Sequence, residues 1–358
     1  MSPVARSRWT GACGRGDCVK LANADWPTFG WIDDVRPILR DAIADRRDVV
    51  LATLIRLEGA APRPVGTQMV FDGATAAGYF SGGCLESDVA NHAAAVLDDG
   101  APRHLVYGRG SPWIDVRLSC GGRIELLLER LAGQDRAVVR MLDLSEQRRP
   151  AYWWSDGIER IAAAQPFSAP LAADNRPSYS LAYQPRWRII VIGADPIALA
   201  IAQAGALAGF ETILLRNDHA RGVSPLTSVA CLYGSATAIL SSLGVDPWTA
   251  VVSATHDDEQ DDQSMICALT EGAGYAGVLG ATRKVADRKL RLSRVGLSEA
   301  CIGSMRAPIG LSGCGKAPWE VAVSILAEVM QVRAAGDRSH VQAANKAAST
   351  SLRSDCSR

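Results

Sequence analysis

The sequence predicts an α/β protein, an amino-terminal α/β domain followed by a Rossmann-like domain with a parallel sheet. Three observations carry that prediction. Arg188–Ile192 is an apolar β-branched run, Pro196–Ala208 an Ala-rich helical stretch and Glu211–Leu215 a second strand, so the second half opens as a βαβ unit. Strands at Trp248–Ala254 and Gly274–Leu279 continue the alternation, which implies a parallel sheet covered on both faces. In the first half the strands are short and parted by Gly- and Pro-bearing turns, the pattern of hairpins.

Taken in order, Val35, Ile38, Leu39 and Ile43 fall at helical spacing within Ile32–Ala44, and Asp48–Leu57 is a buried strand. Gly59–Gly66 holds two prolines and two glycines and is a loop of defined shape. Gln68–Phe71 and Ala77–Phe80 flank an Asp72-Gly73 turn as a hairpin. Ser81-Gly-Gly-Cys84 leads into a helix whose face is Leu85, Val89, Ala93 and Val96. Arg103–Tyr107 and Arg123–Leu128 are strands, with the Gly-rich turn Leu118–Gly122 before the second. Asp156-Gly157 turns a hairpin, Tyr179–Tyr183 is an edge strand, and the last helix, Trp319–Val332, sets Val321, Ile325 and Val329 on one face.

The 358 residues exceed the ~250–300 at which a single core stops growing, so two domains are expected. The expected bounds are 25–133 for the amino-terminal domain, 134–185 for a connecting segment and 186–334 for the Rossmann-like domain. Residues 1–24 and 335–358 are expected to be disordered, being polar and without periodicity. Lys plus Arg and Asp plus Glu each number 38, so there is no basic excess of the kind that nucleic acid or an anionic membrane surface requires. No apolar run approaches the ~20 residues of a membrane span and no signal peptide is visible, so a cytoplasmic protein without membrane insertion is expected. The nine cysteines include no CxxC pair, which argues against a zinc ribbon or a disulfide framework.

Two of those cysteines stand beside glycine pairs. Cys84 follows Gly82-Gly83 at a helix start, where free amides and the helix dipole favour a thiolate or an anion. Cys120 precedes Gly121-Gly122, and the two thiols could face one pocket or simply be buried. Arg63, between prolines, is presented by a stiff loop to solvent or to a phosphate or carboxylate. In the second half, Gly193-Ala-Asp195-Pro196 stands where a dinucleotide fold has its glycine loop. A carboxylate at the second glycine position disfavours pyrophosphate, so NAD(P) or FAD is not expected to bind tightly. His256 with Asp257 forms an acid–base or metal candidate, or the start of a solvated helix. Arg283 and Lys284 reach the same rim, suited to an anionic ligand.

The order Gly59-x-Ala-Pro-Arg-Pro-x-Gly66, Ser81-Gly-Gly-Cys-Leu-Glu86, Pro102-Arg103 with Tyr107-Gly108, and Ser119-Cys-Gly-Gly122 resembles the amino-terminal domain of the XdhC/CoxI family. The Gly193 turn, Thr255-His-Asp257, Gly280-x-x-Arg-Lys284, Pro308-Ile-Gly310 and Glu320-x-Ala-Val-Ser324 resemble its carboxyl domain. The resemblance implies a non-catalytic chaperone that binds and protects the molybdenum cofactor, a molybdopterin with or without a nucleotide extension. It also implies help with sulfuration by a cysteine desulfurase, insertion into an apo molybdenum hydroxylase such as xanthine dehydrogenase, and a homodimer. The implied cofactor-binding residues are Arg63, Ser81, Gly82, Gly83, Cys84, Glu86, Cys120, Gly121, Gly122, Gly193, His256, Asp257, Arg283 and Lys284, with Cys84 and Cys120 near the metal. The departures all fall in the carboxyl domain. The family's Gly-x-Gly-His turn is Gly193-Ala-Asp195-Pro196 here, the acid ending the next strand is Arg216, and the family's Ile-Gly-Ala segment is Ser312-Gly-Cys-Gly-Lys316. An NAD(P)- or flavin-dependent oxidoreductase and a sulfur carrier using a Cys84 persulfide are the alternatives.

Overall fold

A computed structural model describes residues 33–81, 84–109, 121–173, 176–216 and 226–354, without the side chains of 84 and 337–354. The expected disordered segment 1–24 lies outside the described residues. The chain divides into two compact units between Gln184 and Pro185, with residues 344–358 grouped with the first.

The first unit is built on an antiparallel sheet in the order β3-β2-β1-β5-β4, from β1 (Val49–Glu58), β2 (Gln68–Phe71), β3 (Ala76–Ala77), β4 (Arg103–Gly108) and β5 (Arg123–Leu131). Period-two alternation sends its side chains to two faces. Val50, Ala52, Leu126 and Leu128 pack under α2 (Cys84–Asp99), whose buried face is the expected Leu85, Val89, Ala93 and Val96. Val49, Leu51, Leu127 and Leu131 pack against α1 (Arg36–Ala44) and α3 (Arg136–Glu146). That second core also takes in Ala151, Trp153, Tyr179 and Tyr183 from a small sheet of order β7-β6-β8, formed by β6 (Ala151–Ser155), β7 (Arg160–Ala163) and β8 (Tyr179–Tyr183).

The small sheet corrects the expected connecting segment 134–185, which is an integral layer of the first unit. A buried polar network holds it there. Glu129 on β5 is fully buried and accepts from Tyr179 Oη (2.8 Å), Ser155 Oγ (2.6 Å) and Arg160 Nε (3.0 Å). Burial, then the Glu129 charge, pushes the Tyr179 phenol well above its ordinary value.

The second unit is doubly wound. β9 (Arg188–Gly193), β10 (Glu211–Arg216), β11 (Ala230–Tyr233), β12 (Thr249–Ala254) and β13 (Tyr275–Val278) lie in the order β11-β10-β9-β12-β13, and every pairing is parallel. Ile189 and Val191 face α4 (Pro196–Leu207) and α9 (Pro318–Ser354), while Ile190 and Ile192 face α5 (Ala236–Leu243), α6 (Asp258–Glu271), α7 (Val285–Arg294) and α8 (Glu299–Ser304). The strand order reverses between β9 and β12, so the crevice at their carboxyl ends is the topological switch point.

The last helix reaches into the segment 335–358 expected to be disordered, of which 355–358 lie outside the described residues. α9 continues past Val332 through Ser354, because Gln-Ala-Ala-Asn-Lys-Ala-Ala lacks an apolar face yet is composed mostly of helix formers without proline. Among the described residues no helix is long and apolar enough to cross a membrane.

Candidate functional site

The antiparallel register gathers the first unit's motifs on one edge of its sheet. Glu58 at the end of β1 pairs with Arg123 at the start of β5, and Gly108 at the end of β4 pairs with the same Arg123. Val70 on β2 pairs with Ala77 on β3, so the chain leaves β3 toward this edge, where Ser81 precedes α2. Gly122 therefore meets Ala60 of the Gly59–Gly66 loop across 62 residues of sequence, and Arg63 of that loop reaches Tyr79 on the way to α2.

Backbone contact fixes this meeting. A β-carbon on Gly122 would fall 2.2 Å from the Ala60 carbonyl oxygen, so only glycine admits the two loops at this distance. Gly121 beside it has a left-handed φ of +68° and open space around its α-carbon. Glu86, fully buried in the first turn of α2, accepts from the amides of Phe80 (2.8 Å) and Ser81 (2.6 Å) and from Ser81 Oγ (2.9 Å). It holds the loop from beneath, and in this geometry its oxygens face the loop instead of solvent. Cys84 is the first residue of α2, as expected; Gly82, Gly83, Cys120 and the Cys84 side chain lie outside the described residues.

Arg63 stacks over the Tyr79 ring, with its guanidinium carbon 4.6 Å from the centroid, donates to Tyr79 Oη (3.0 Å) and pairs with Asp33. Its Nε is buried without a hydrogen-bond partner, and the Asp33 side chain is 69% exposed. The guanidinium is thus held by an aromatic ring and a replaceable surface carboxylate, an arrangement that suits exchange for a stronger anion. The sequence pattern did not single out Tyr79 or Asp33, since neither stands in a motif with Arg63.

Nearby on the same sheet, Glu125 bonds His104 Nε2 (2.9 Å) and Arg123 Nη2 (3.0 Å). Burial pushes its carboxyl up, but those bonds outweigh it and hold the group below the ordinary glutamate value. Tyr107 donates to Asp88 Oδ2 (2.7 Å), and burial with that carboxylate drives the phenol far above its ordinary value.

In the second unit, Gly193 is required by strand packing: a β-carbon there would lie 2.5 Å from the Ala254 carbonyl oxygen. Of the two expectations for His256 and Asp257, the helix start is the one that accounts for Asp257. Asp257 is the N-cap of α6 and accepts from the amides of Glu259 (2.9 Å) and Gln260 (3.2 Å), so its carboxylate serves the helix. His256, with a left-handed φ of +61°, donates across the switch point to Asp195 Oδ2 at 2.8 Å. Asp195 in turn caps α4 through Oδ1, which accepts from Ala198 N (2.8 Å). Asp before Pro at a helix start is an N-cap signature, which is the sequence signal that marks this role. Lys284 reaches both oxygens of Asp258 at 3.1 Å, and that bond holds the Asp258 carboxyl below its ordinary value. Arg283 is exposed at the same rim. No group of three His, Cys, Asp or Glu able to hold a metal ion occurs among the described residues.

An antiparallel α/β unit with glycine-rich loops gathered on one edge, followed by a Rossmann unit, defines a two-unit α/β protein whose candidate sites lie on two sheet edges. Residues 189–329 match the XdhC Rossmann domain, and residues 42–108 match the XdhC and CoxI family. The chain is 30% identical over 305 residues to the molybdenum cofactor insertion chaperone PaoD of Escherichia coli K12, covering 84% of this chain and 89% of that one. This chain belongs to the XdhC and CoxI family. It is also 25% identical to a Bacillus subtilis protein named as a probable xanthine dehydrogenase subunit, over 81% of this chain and 95% of that protein. The crystal structure of a Bacillus halodurans protein described as a xanthine dehydrogenase superposes with a TM-score of 0.68 at 22% identity, covering 84% of this chain and 96% of that one; at that identity it shows the shared fold.

Proposed function

We propose that this chain binds the molybdenum cofactor, protects it, supports its sulfuration by a cysteine desulfurase and inserts it into an apo molybdenum hydroxylase. The observation that carries the reading is the convergence of the Gly59–Gly66 loop, the Cys84 helix start and Gly121-Gly122 on one sheet edge, with Gly122 so close to Ala60 that a side chain there would push the two loops apart. The cargo is an anionic pterin dithiolene carrying a metal. Loop amides and the start of α2 suit its anionic groups, Arg63 suits its phosphate, and a thiolate is the soft donor its metal prefers. The residues proposed to hold it are Arg63, Ser81, Gly82, Gly83, Cys84, Cys120, Gly121 and Gly122, with Glu86 fixing the loop beneath them. The relative named as an insertion chaperone supports the same reading along most of the chain.

The test is to express the chain in a host that makes the cofactor and to measure molybdenum and pterin in the purified protein. The same preparation is then mixed with a purified apo hydroxylase, whose activity is followed. Pterin and molybdenum in near-equal amounts, with activation of the apoenzyme, are expected. Protein free of both, unable to activate, would refute the proposal.

A further inference from the structure

Arg63 and Tyr79 are held from several sides, whereas the carboxylate that Arg63 meets is held from one. Pro62 and Pro64 restrict the backbone on either side of Arg63. Thr67 gives its amide (3.2 Å) and its hydroxyl (2.8 Å) to the Pro64 carbonyl, and the Gly66 amide returns to the Leu54 carbonyl of β1 (2.8 Å). Tyr79 stands between Gly78, pressed against the Gln68 carbonyl, and Phe80, which is buried with its amide on Glu86. Ring and guanidinium therefore form one fixed platform, and only 20% of the Arg63 side chain is exposed.

Asp33 comes to that platform from 30 residues away. The chain is pinned immediately after it. Val35 is buried, and Asp34 accepts from Arg36 Nε (2.7 Å) and Nη2 (3.0 Å), while Arg36 donates on to Ser145 Oγ (3.0 Å) and the Gln184 carbonyl (2.7 Å). This anchor keeps the Asp33 carboxylate beside Arg63 at a high effective concentration without burying it. The carboxylate engages Nη2 through one oxygen, and an exposed pair of that kind is weak. A phosphoryl group brings more charge and can take two N–H groups of the guanidinium fork. A fixed cation is thus covered by a weak anion that can turn into solvent without disturbing the core.

We propose that Asp33 is a release latch on Arg63: it yields the guanidinium to a phosphoryl group of the cargo and reclaims it as the cargo leaves. Two anions compete for one cation, so Asp33 lowers retention and hinders rebinding, which favours hand-over. The identity of the cargo rests on the reading above; the competition is a property of Asp33, Arg63 and Tyr79 alone.

The test titrates inorganic phosphate into the full-length protein at constant ionic strength, followed by phosphorus NMR. Wild type, Asp33→Asn, Asp33→Ala, Arg63→Gln and the double variant Asp33→Asn with Arg63→Gln are compared. Wild type is expected to bind more weakly than about 1 mM. Both Asp33 variants are expected to bind about three- to tenfold tighter, the scale of one exposed ion pair plus the repulsion removed with it. Arg63→Gln is expected to lose the binding, and Asp33→Asn to restore none of it. No gain in either Asp33 variant overturns the latch. So does an equal gain in the Arg63→Gln background, which would trace to net charge. In a second arm, wild type and Asp33→Asn are loaded in a host that makes the cofactor and mixed with a purified apo hydroxylase. The variant is expected to hold at least as much pterin and to activate the apoenzyme about three- to tenfold more slowly. Equal rates overturn the release role. Protein free of pterin in both cases refutes the chaperone reading, and the phosphate titration still judges the latch by itself.

Discussion

Gly122 approaches Ala60 so closely that a β-carbon on it would sit 2.2 Å from the Ala60 carbonyl oxygen. This contact ties the start of β5 to the loop after β1, and both loops border the edge proposed to hold the cargo. Gly122→Ala forces the loops apart, and overpacking of this kind costs about 1–3 kcal/mol. A lower thermal midpoint together with a larger loss of pterin in the purified protein is expected. By contrast Gly121→Ala, which meets no neighbour but must adopt φ +68°, is expected to cost about 1 kcal/mol through backbone strain alone. Equal effects of the two variants on pterin content would remove Gly122 from its role in holding the edge together.

Glu86 makes a second hold on the same edge. Truncation by Glu86→Ala leaves the buried Phe80 amide and the Ser81 amide without their acceptor, at about 1–3 kcal/mol. Glu86→Gln keeps a carbonyl oxygen for those amides, while Ser81 Oγ turns to accept from the new amide group. Urea unfolding is expected to rank wild type above Glu86→Gln and Glu86→Ala last. Equal stability of the two variants would show that the loop amides do not depend on this side chain.

How much of this was legible in the sequence differs between elements. The βαβ start at Arg188 and the apolar face of α2 follow directly from periodicity, and both stand where the pattern puts them. β3 is shorter than its expected Ala77–Phe80 span, because Gly78 is pressed against the Gln68 carbonyl and Phe80 and Ser81 give their amides to Glu86 instead of a strand. α3 and the joining of β6–β8 to the first core were not visible, since Glu129, Ser155 and Tyr179 signal nothing until the fold brings them within hydrogen-bonding reach. Cys84 at a helix start was readable from two glycines before an amphipathic run. The Asp195–His256 bond was not, because a contact across 61 residues leaves no local pattern.

The buried Glu129–Arg160 pair predicts strong non-additivity. Arg160→Met leaves the Glu129 carboxylate, fully buried, without its cation, a change that costs about 3–5 kcal/mol. Arg160 also bonds Asp135, and that contact is lost with it. Replacing both partners, Arg160→Met with Glu129→Gln, removes the stranded charge, while Tyr179 can still donate to the Gln carbonyl and Ser155 Oγ turns to accept from the Gln amide group. A double-mutant cycle by chemical unfolding is expected to find the double variant more stable than Arg160→Met alone. The opposite order would mean that the charge on Glu129 is not what makes the single change costly.

Acid stability follows from Asp156. Burial pushes this carboxyl up, but the amides of Glu159 and Ile158 and the Arg176 guanidinium outweigh burial and hold it below its ordinary value. A carboxyl that binds its proton more weakly in the fold than in the unfolded chain stabilises the fold at every pH above its unfolded value. That contribution fades as pH falls from about 3.9 through the lowered folded value. Asp48, held down by Arg130 and the Gly133 amide, adds a change of the same sign in the same range. Asp156→Asn keeps the acceptor for the two amides but has no charge for Arg176 and no proton to take up. The variant is therefore expected to be less stable than wild type at about pH 6, with the gap narrowing as pH falls below about 4. Urea unfolding at a series of pH values measures this directly. A gap that stays constant down to about pH 2 would mean that the Asp156 charge contributes nothing to the fold.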